Sequence, residues 1–210
     1  MFADRQIHNL YAPQSADVQA QTFAVAEEKI DAPSIGECVL KVQFKKFNRL
    51  QGDGVQGELI FSYNIRQPGG DTCVAEMRFR FKDEQRFDLV HRYFEPEHRD
   101  AGIGTDVLKT AEEWFAVLAT KQKSDIFIEL STHQPRVMHW MVTNGYSPKE
   151  GHAETYREVV EHPERFETMK ERSAPDGEPR ERMYRKGRLG YPLYISFEKR
   201  IARQTEAVTP

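Results

Sequence analysis

The stretch EPEHRDAGIG, residues 95–104, stands between a strand-like run, RFDLVHRYF, and a long run of helical periodicity, GIGTDVLKTAEEWFAVLATKQ. Gly102 and Gly104 therefore lie where a strand gives way to a helix. The first turn of a helix offers N–H groups without intrahelical acceptors and a partial positive charge. Glycines there leave room for a ligand to approach those amides, and Arg99 adds a permanent cation suited to phosphate oxygens. The combination predicts an anion site, best matched by a pyrophosphate. Two common phosphate loops fail: G-x-G-x-x-G would need glycine at position 107, which is Val107, and a Walker loop would need a lysine that GIGTD lacks.

Working outward, the preceding segments carry strand signals. ECVLKVQFKKF opposes Val39, Lys41 and Gln43 to Leu40, Val42 and Phe44. GELIFSYNIRQ and TCVAEMRFRFK flank PGGD, which predicts a hairpin, and RFDLVHRYF follows after a short break. After the corner, Ile103, Val107, Leu108, Ala111, Trp114, Phe115 and Leu118 form one helical stripe. DIFIEL predicts a strand, so strand–helix–strand predicts a parallel crossover. QPRVMHWMVTNGY predicts a second helix stopped at Asn144-Gly145.

Residues 1–35 form an N-terminal segment in which ADVQAQTFAVAEEKI fits a helix or a strand. A single domain is expected over 36–200, with an inserted helical and charged segment at 147–190 and a frayed tail at 201–210. Within the insertion, HAETYREVVEH and PERFETMKERS are expected as two short helices and APDGEPRERMYRKGRLG as a charged loop, before a closing strand in YPLYISFEKRI.

The chain has 210 residues and a formal charge of −3, which disfavours indiscriminate binding to nucleic acid or an anionic membrane. Cys38 and Cys73 have no metal-site spacing and are read as two reduced thiols. No metal is expected; His133 and His139 read as packing or helix-surface residues. There is no leader-like apolar start and no window near the length of a membrane span, so the expected setting is cytoplasmic.

RDAGIG also matches a family signature. With Arg99, Gly102 and Gly104 at [QR]-x-x-G-x-[GA], and Phe94 and Pro96 before the arginine, the chain resembles the GNAT superfamily of acyl-CoA N-acyltransferases. The resemblance covers about residues 55–150 and the closing strand, including an asparagine-bearing helix and the Gly145-Tyr146 pair. It implies an α/β fold: a mixed, mostly antiparallel sheet flanked by helices, its strands splayed near Phe94. It implies acetyl transfer from acetyl-CoA, a cosubstrate, to a primary amine, and it leaves a homodimer open. Phe94, Arg99, Asp100, Ala101, Gly102, Ile103, Gly104 and Thr105 would hold the cofactor, and Gln134 would contact pantetheine.

The match departs from the family in three places. Gln134 stands where many members have an asparagine, Met141 where many have a proton-donating tyrosine, and the link NRLQGDGVQ is short for the usual acceptor-covering helices. A base must still deprotonate the amine. His91 and Glu95 share strand parity with Leu89 and Tyr93, and His91, whose ordinary pKa is near ~6.5, is the first choice. Tyr93 is a further proton donor. Two other readings stand beside catalysis. One is a CoA-binding module without chemistry, which Met141 favours. The other is an RNA- or protein-binding domain using the basic stretch at 180–188 (Arg180, Arg182, Tyr184, Arg185, Lys186, Arg188), which reads more simply as a solvated loop balanced by glutamates.

Overall fold

The computed structural model describes residues 21–47, 57–171, 180–188 and 191–203, except the side chains of Arg99, Asp100, Glu171 and Arg180. Residues 1–20 of the N-terminal segment, the link at 48–56, residues 172–179 and 189–190 of the insertion and the tail from 204 lie outside the described residues. The chain forms two units, one drawn from residues up to Ile128 and from Arg200 onward, the other running Glu129–Lys199. The described residues form a mixed α/β structure with three α-helices and mostly antiparallel strands.

In the first unit, β1 (Gln21–Ala32), β2 (Gly36–Lys46), β3 (Gly57–Gln67), β4 (Gly70–Phe81) and β5 (Arg86–Phe94) form an antiparallel meander in chain order. Of the segment left open between helix and strand, residues 21–30 lie in β1 and residues 16–20 lie outside the described residues. The β3–β4 hairpin turns through Pro68-Gly69, with Gln67 opposite Gly70 and Gly70 at φ +124°. Between β4 and β5, the Asp83 carboxylate accepts hydrogen bonds from the Gln85 and Arg86 N–H groups, both at 2.8 Å, and so closes the turn.

A 3-10 turn, Pro96–Ala101, leads from β5 into α1 (Ile103–Gln122), and β6 (Ile126–Thr132) follows beside β5. The predicted stripe of α1 is the buried one, with Ile103, Val107, Leu108, Ala111, Trp114, Phe115 and Leu118 at 0–1% exposure. It packs on an aromatic cluster of the sheet. The Phe79–Phe115 and Phe61–Trp114 rings meet edge to face at 5.1 and 5.7 Å, and Phe87 lies 4.7 Å from Phe115. Such pairs add about 0.5–1.5 kcal/mol each beyond burial. Tyr63 and Thr110 share a hydrogen bond of 2.7 Å, and burial pushes the Tyr63 phenol up to about 12.

In the second unit, α2 (Pro135–Thr143) ends as its Asn-Gly signal predicts. Gly145 adopts φ +82°, its N–H donates to Val142 O, and the Tyr146 N–H reaches back to Met141 O, both at 3.0 Å. β7 (Ser147–Pro148) pairs antiparallel with β10 (Ile195–Ile201), and within this unit β10 lies between β6 and β7. α3 (Glu150–Glu161) is the first helix expected in the insertion. The second expectation there is corrected: after a 3-10 turn at Pro163–Arg165 the chain forms β8 (Phe166–Glu171), and the charged loop contains β9 (Arg180–Arg185), its antiparallel partner. Tertiary contact decides this. Phe166, Met183 and Tyr184 are buried, and the Arg185 guanidinium lies over the Phe166 ring at 5.3 Å.

Candidate functional site

The corner between β5 and α1 is built by two glycines with different duties. Gly102 adopts φ +88°, ending the 3-10 turn and opening α1, and a Cβ there would meet nothing within 4 Å. The conformation, not space, calls for glycine. Its carbonyl accepts the first bonds of the helix, from the Thr105 and Asp106 N–H groups at 2.9 and 3.2 Å. The amides of Ile103 and Gly104 therefore come ahead of the ladder, in the geometry that receives an anion.

Gly104 has a packing duty beside the ligand access expected from the sequence. A Cβ built there would lie 3.1 Å from the Phe94 ring, so this glycine makes room for Phe94 as well as for any ligand. Ala101 and Gly102 are exposed, Gly104 and Thr105 half-buried, and the Ile103 side chain is wholly in the core. Only the backbone of Ile103 is thus available to a ligand. Arg99 and Asp100 contribute their backbone to the turn, while their side chains lie outside the description. Gln134 belongs to the second unit, at the N-cap of α2, where its N–H donates to Thr132 Oγ1 at 3.2 Å.

A β-bulge re-aims the candidate bases. Phe79 faces Leu89, but Arg78 faces His91, so Val90 is an extra residue in β5. Simple alternation would put His91 on the face of Leu89; with Val90 inserted, Leu89 stays in the core at 3% exposure while the His91 side chain is 47% exposed. Beyond the bulge Arg92 and Phe94 occupy the inner parity, and His91, Tyr93 and Glu95 share the outer one. Glu95 continues the pairing through its N–H to Val74 O at 2.9 Å. Four residues of strand separate His91 from Glu95, about 13 Å at ~3.3 Å per residue. The two cannot serve the same proton directly.

His91 lies cross-strand from Arg78, and its Nε2 is 3.8 Å from Glu76 Oε1, which also accepts Arg78 Nε at 2.7 Å. Its pKa is lowered, first by burial and then by Arg78, against the opposing pull of Glu76. Near neutral pH the imidazole is therefore uncharged and able to accept a proton. Glu95 has a different neighbour, His98 Nε2 at 3.9 Å. On the inner parity, burial pulls the Arg92 guanidinium down to about 10.

Sequence reading missed Glu76, Arg78 and Arg92, because their grouping around β5 follows from strand register. It also missed Glu129, a carboxylate at 4% exposure in the second unit, paired with Lys149 Nζ at 2.9 Å. The basic stretch is partly spent on structure. Arg185 makes two hydrogen bonds of 2.6 Å to Glu158, which with Arg165 hold that carboxyl down at about 2.

Two hollows lie elsewhere. One of about 450 Å³ at the carboxyl end of α1 is lined by Lys123, Asp125, Arg200 and Arg203, and there Asp125 already accepts from Arg200 Nε at 2.7 Å and the Arg203 N–H at 3.1 Å. The other, of about 320 Å³ in the second unit, is lined by Arg185, Arg188, Tyr191 and Tyr194. Among the described residues no helix is long and apolar enough to cross a membrane, and no group of three or more His, Cys, Asp or Glu could hold a metal. Cys38 and Cys73 are free thiols.

No family model matches the chain, and no curated protein matches it either. Among solved structures it is similar to a Klebsiella pneumoniae subsp. pneumoniae protein assigned provisionally as an acyl-CoA N-acyltransferase, with 19% identity over 69% of this chain and 72% of that one and a TM-score of 0.38. A likeness of that degree decides neither fold nor function, which leaves the residues of the corner to carry the functional reading.

Proposed function

We propose that the chain transfers an acyl group, acetyl in the first instance, from acyl-CoA to a primary amine. The observation that carries this is the β5–α1 corner. Gly102 in the left-handed region turns the chain into α1, so that the leading amides of the helix come ahead of its hydrogen-bond ladder, on a segment whose sequence is RDAGIG. Pyrophosphate would accept from those amides and from Arg99. The order β5–α1–β6 supports the crossover this architecture needs, because the Phe127 N–H donates to Gln85 O at 2.7 Å and so joins the starts of the two strands.

In this reading His91 takes a proton from the ammonium form of the acceptor, and the neutral amine attacks the thioester carbonyl in a ternary complex. The pantetheine arm separates the thioester from the pyrophosphate, which favours His91, farther along β5 from the corner, over Glu95, which abuts it. A second reading, CoA binding without chemistry, is favoured by Met141. That side chain is fully buried and has no proton to give a departing thiolate.

Acetyl-CoA and CoA should raise the melting temperature saturably, by about 2.7 kcal/mol of stabilisation at ~100 Kd, with NADH and ATP clearly weaker. Thiol release from acetyl-CoA with a panel of amines then separates transfer from mere binding. No shift at millimolar CoA would sink both readings.

A further inference from the structure

We propose that Glu76 is the positioning residue for His91, orienting the imidazole so that Nδ1 is presented to the acceptor amine. The inference rests on the acyl-transfer reading for its purpose, and on strand geometry for its content. β4 and β5 set Glu76 opposite Tyr93 and Arg78 opposite His91, so all four side chains share one face of the sheet. Glu76 Oε1 lies 3.8 Å from His91 Nε2, with the Glu76 side chain 20% exposed and that of His91 47% exposed. The carboxylate is largely covered and held by Arg78, while the ring is open to a ligand.

A carboxylate can only accept, so a neutral ring with Nε2 toward it keeps its hydrogen on that nitrogen. The lone pair then resides on Nδ1. At 3.8 Å the contact is in ion-pair range, and its attraction grows as the ring gains charge. Glu76 and Arg78 from β4, Glu58 from β3 and Arg92 from its own strand are the charged groups that act on His91. Glu58 is bonded to Arg80 at 2.8 Å and Glu76 to Arg78 at 2.7 Å, but it is the Glu76 carboxylate that lies 3.8 Å from the ring, close enough to answer the imidazolium.

The step balances as follows. The acceptor ammonium gives one proton to His91 Nδ1, and its nitrogen forms the bond to the thioester carbon. The carbon–sulfur bond breaks, with its electron pair leaving on the CoA thiolate. The attacking nitrogen sheds a second proton to water, and the imidazolium returns its proton to the thiolate. Products are the amide, CoA thiol and one released proton. Met141 has no part in this sequence.

The test is a titration of the full-length chain, with the His91 ring nitrogens followed by NMR in wild type, Glu76→Gln, Glu76→Ala and Arg78→Gln. In wild type the neutral ring should carry its hydrogen on Nε2. Glu76→Gln should lower the titration midpoint, Glu76→Ala should also weaken the Nε2–H preference toward that of an unpartnered imidazole, and Arg78→Gln should raise the midpoint. The rate kcat/KM should fall roughly tenfold in Glu76→Gln, a part of the ~10²–10⁴-fold a general base supplies, with CoA affinity unchanged. A resting ring protonated on Nδ1, or a midpoint unmoved by Glu76→Gln, overturns the inference whatever the activity. If the ring behaves as stated but His91→Ala keeps the full rate, the orientation by Glu76 stands and it is the assignment of His91 as base that falls.

Discussion

The ring of Phe94 lies in the direction in which a side chain at residue 104 would grow. A Cβ on Gly104 would be 3.1 Å from Cζ, 3.3 Å from Cε2 and 3.5 Å from Cε1 of that ring. Strand and helix are thus brought together at the corner by a contact that only glycine permits without displacement. Phe94 is half-buried, so its ring has some freedom to move aside.

Gly104→Ala should consequently be near neutral in stability. The gain in helix propensity, about 1 kcal/mol, offsets the push on Phe94. Gly104→Val adds a branched side chain against the ring and should cost about 1–3 kcal/mol as overpacking. Chemical denaturation measures both. If Gly104→Val is as stable as wild type yet binds no CoA, ligand access rather than packing keeps this position glycine.

Two left-handed residues at opposite ends of α1 should respond in opposite directions. Gly102, at φ +88° in open space, should lose about 1–2 kcal/mol on replacement by alanine, from conformation alone. Lys123 is the non-glycine counterpart at φ +56°, donating from its N–H to Thr120 O at 3.2 Å. Lys123→Gly should stabilise the chain by up to about 1 kcal/mol by relieving the same strain. Equal and small effects at both sites would mean that the strain is not where these dihedral angles put it.

The His91 assignment predicts a pH dependence of rate. kcat/KM should rise with pH through an apparent pKa below the ordinary histidine value, since burial and Arg78 both disfavour the imidazolium. His91→Ala should lower the rate by about 10²–10⁴-fold with CoA binding retained, and His91→Gln should not rescue it. A fully active His91→Ala beside a dead Glu95→Gln would transfer the role to the carboxylate.

Glu158 ties α3 to the 3-10 turn and β9 through Arg165 and Arg185. Its carboxyl is held at about 2 by these arginines, below its ordinary 4.5. A depressed carboxyl contributes stability that is complete above the unfolded value and drains away as pH falls toward the folded one. The stability gap between wild type and Glu158→Gln should therefore be widest above about pH 4.5 and close by about pH 2. Thermal unfolding at a series of pH values checks this, and a gap that widens on acidification contradicts it.

Much of the architecture was legible in the chain itself. Pro68-Gly69 between two alternating runs sets a hairpin, the stripe from Ile103 to Leu118 sets a helix, and Asn144-Gly145 stops the next. These signals are local: dihedral preference, side-chain period and capping act over a few residues, so the residue order contains them. The RDAGIG corner belongs to the same class, since its turn and helix start depend on neighbours in sequence. PERFETMKERS misled because helix-permissive residues there are overridden by pairing with a partner strand.

What only the tertiary structure decided is which face each strand residue occupies. Counted back from the two-residue loop, Glu58 would oppose Phe79, a charge against an aromatic core; the bulge at Val74 moves it opposite Arg80, 2.8 Å away. The bulge at Val90 likewise separates His91 from Leu89 and assembles it with Glu76 and Arg78. A bulge carries no reliable local code. It forms where packing of Phe79 on α1, burial of Leu89 and pairing of the polar residues on the other face cannot all be met by an unbroken period of two.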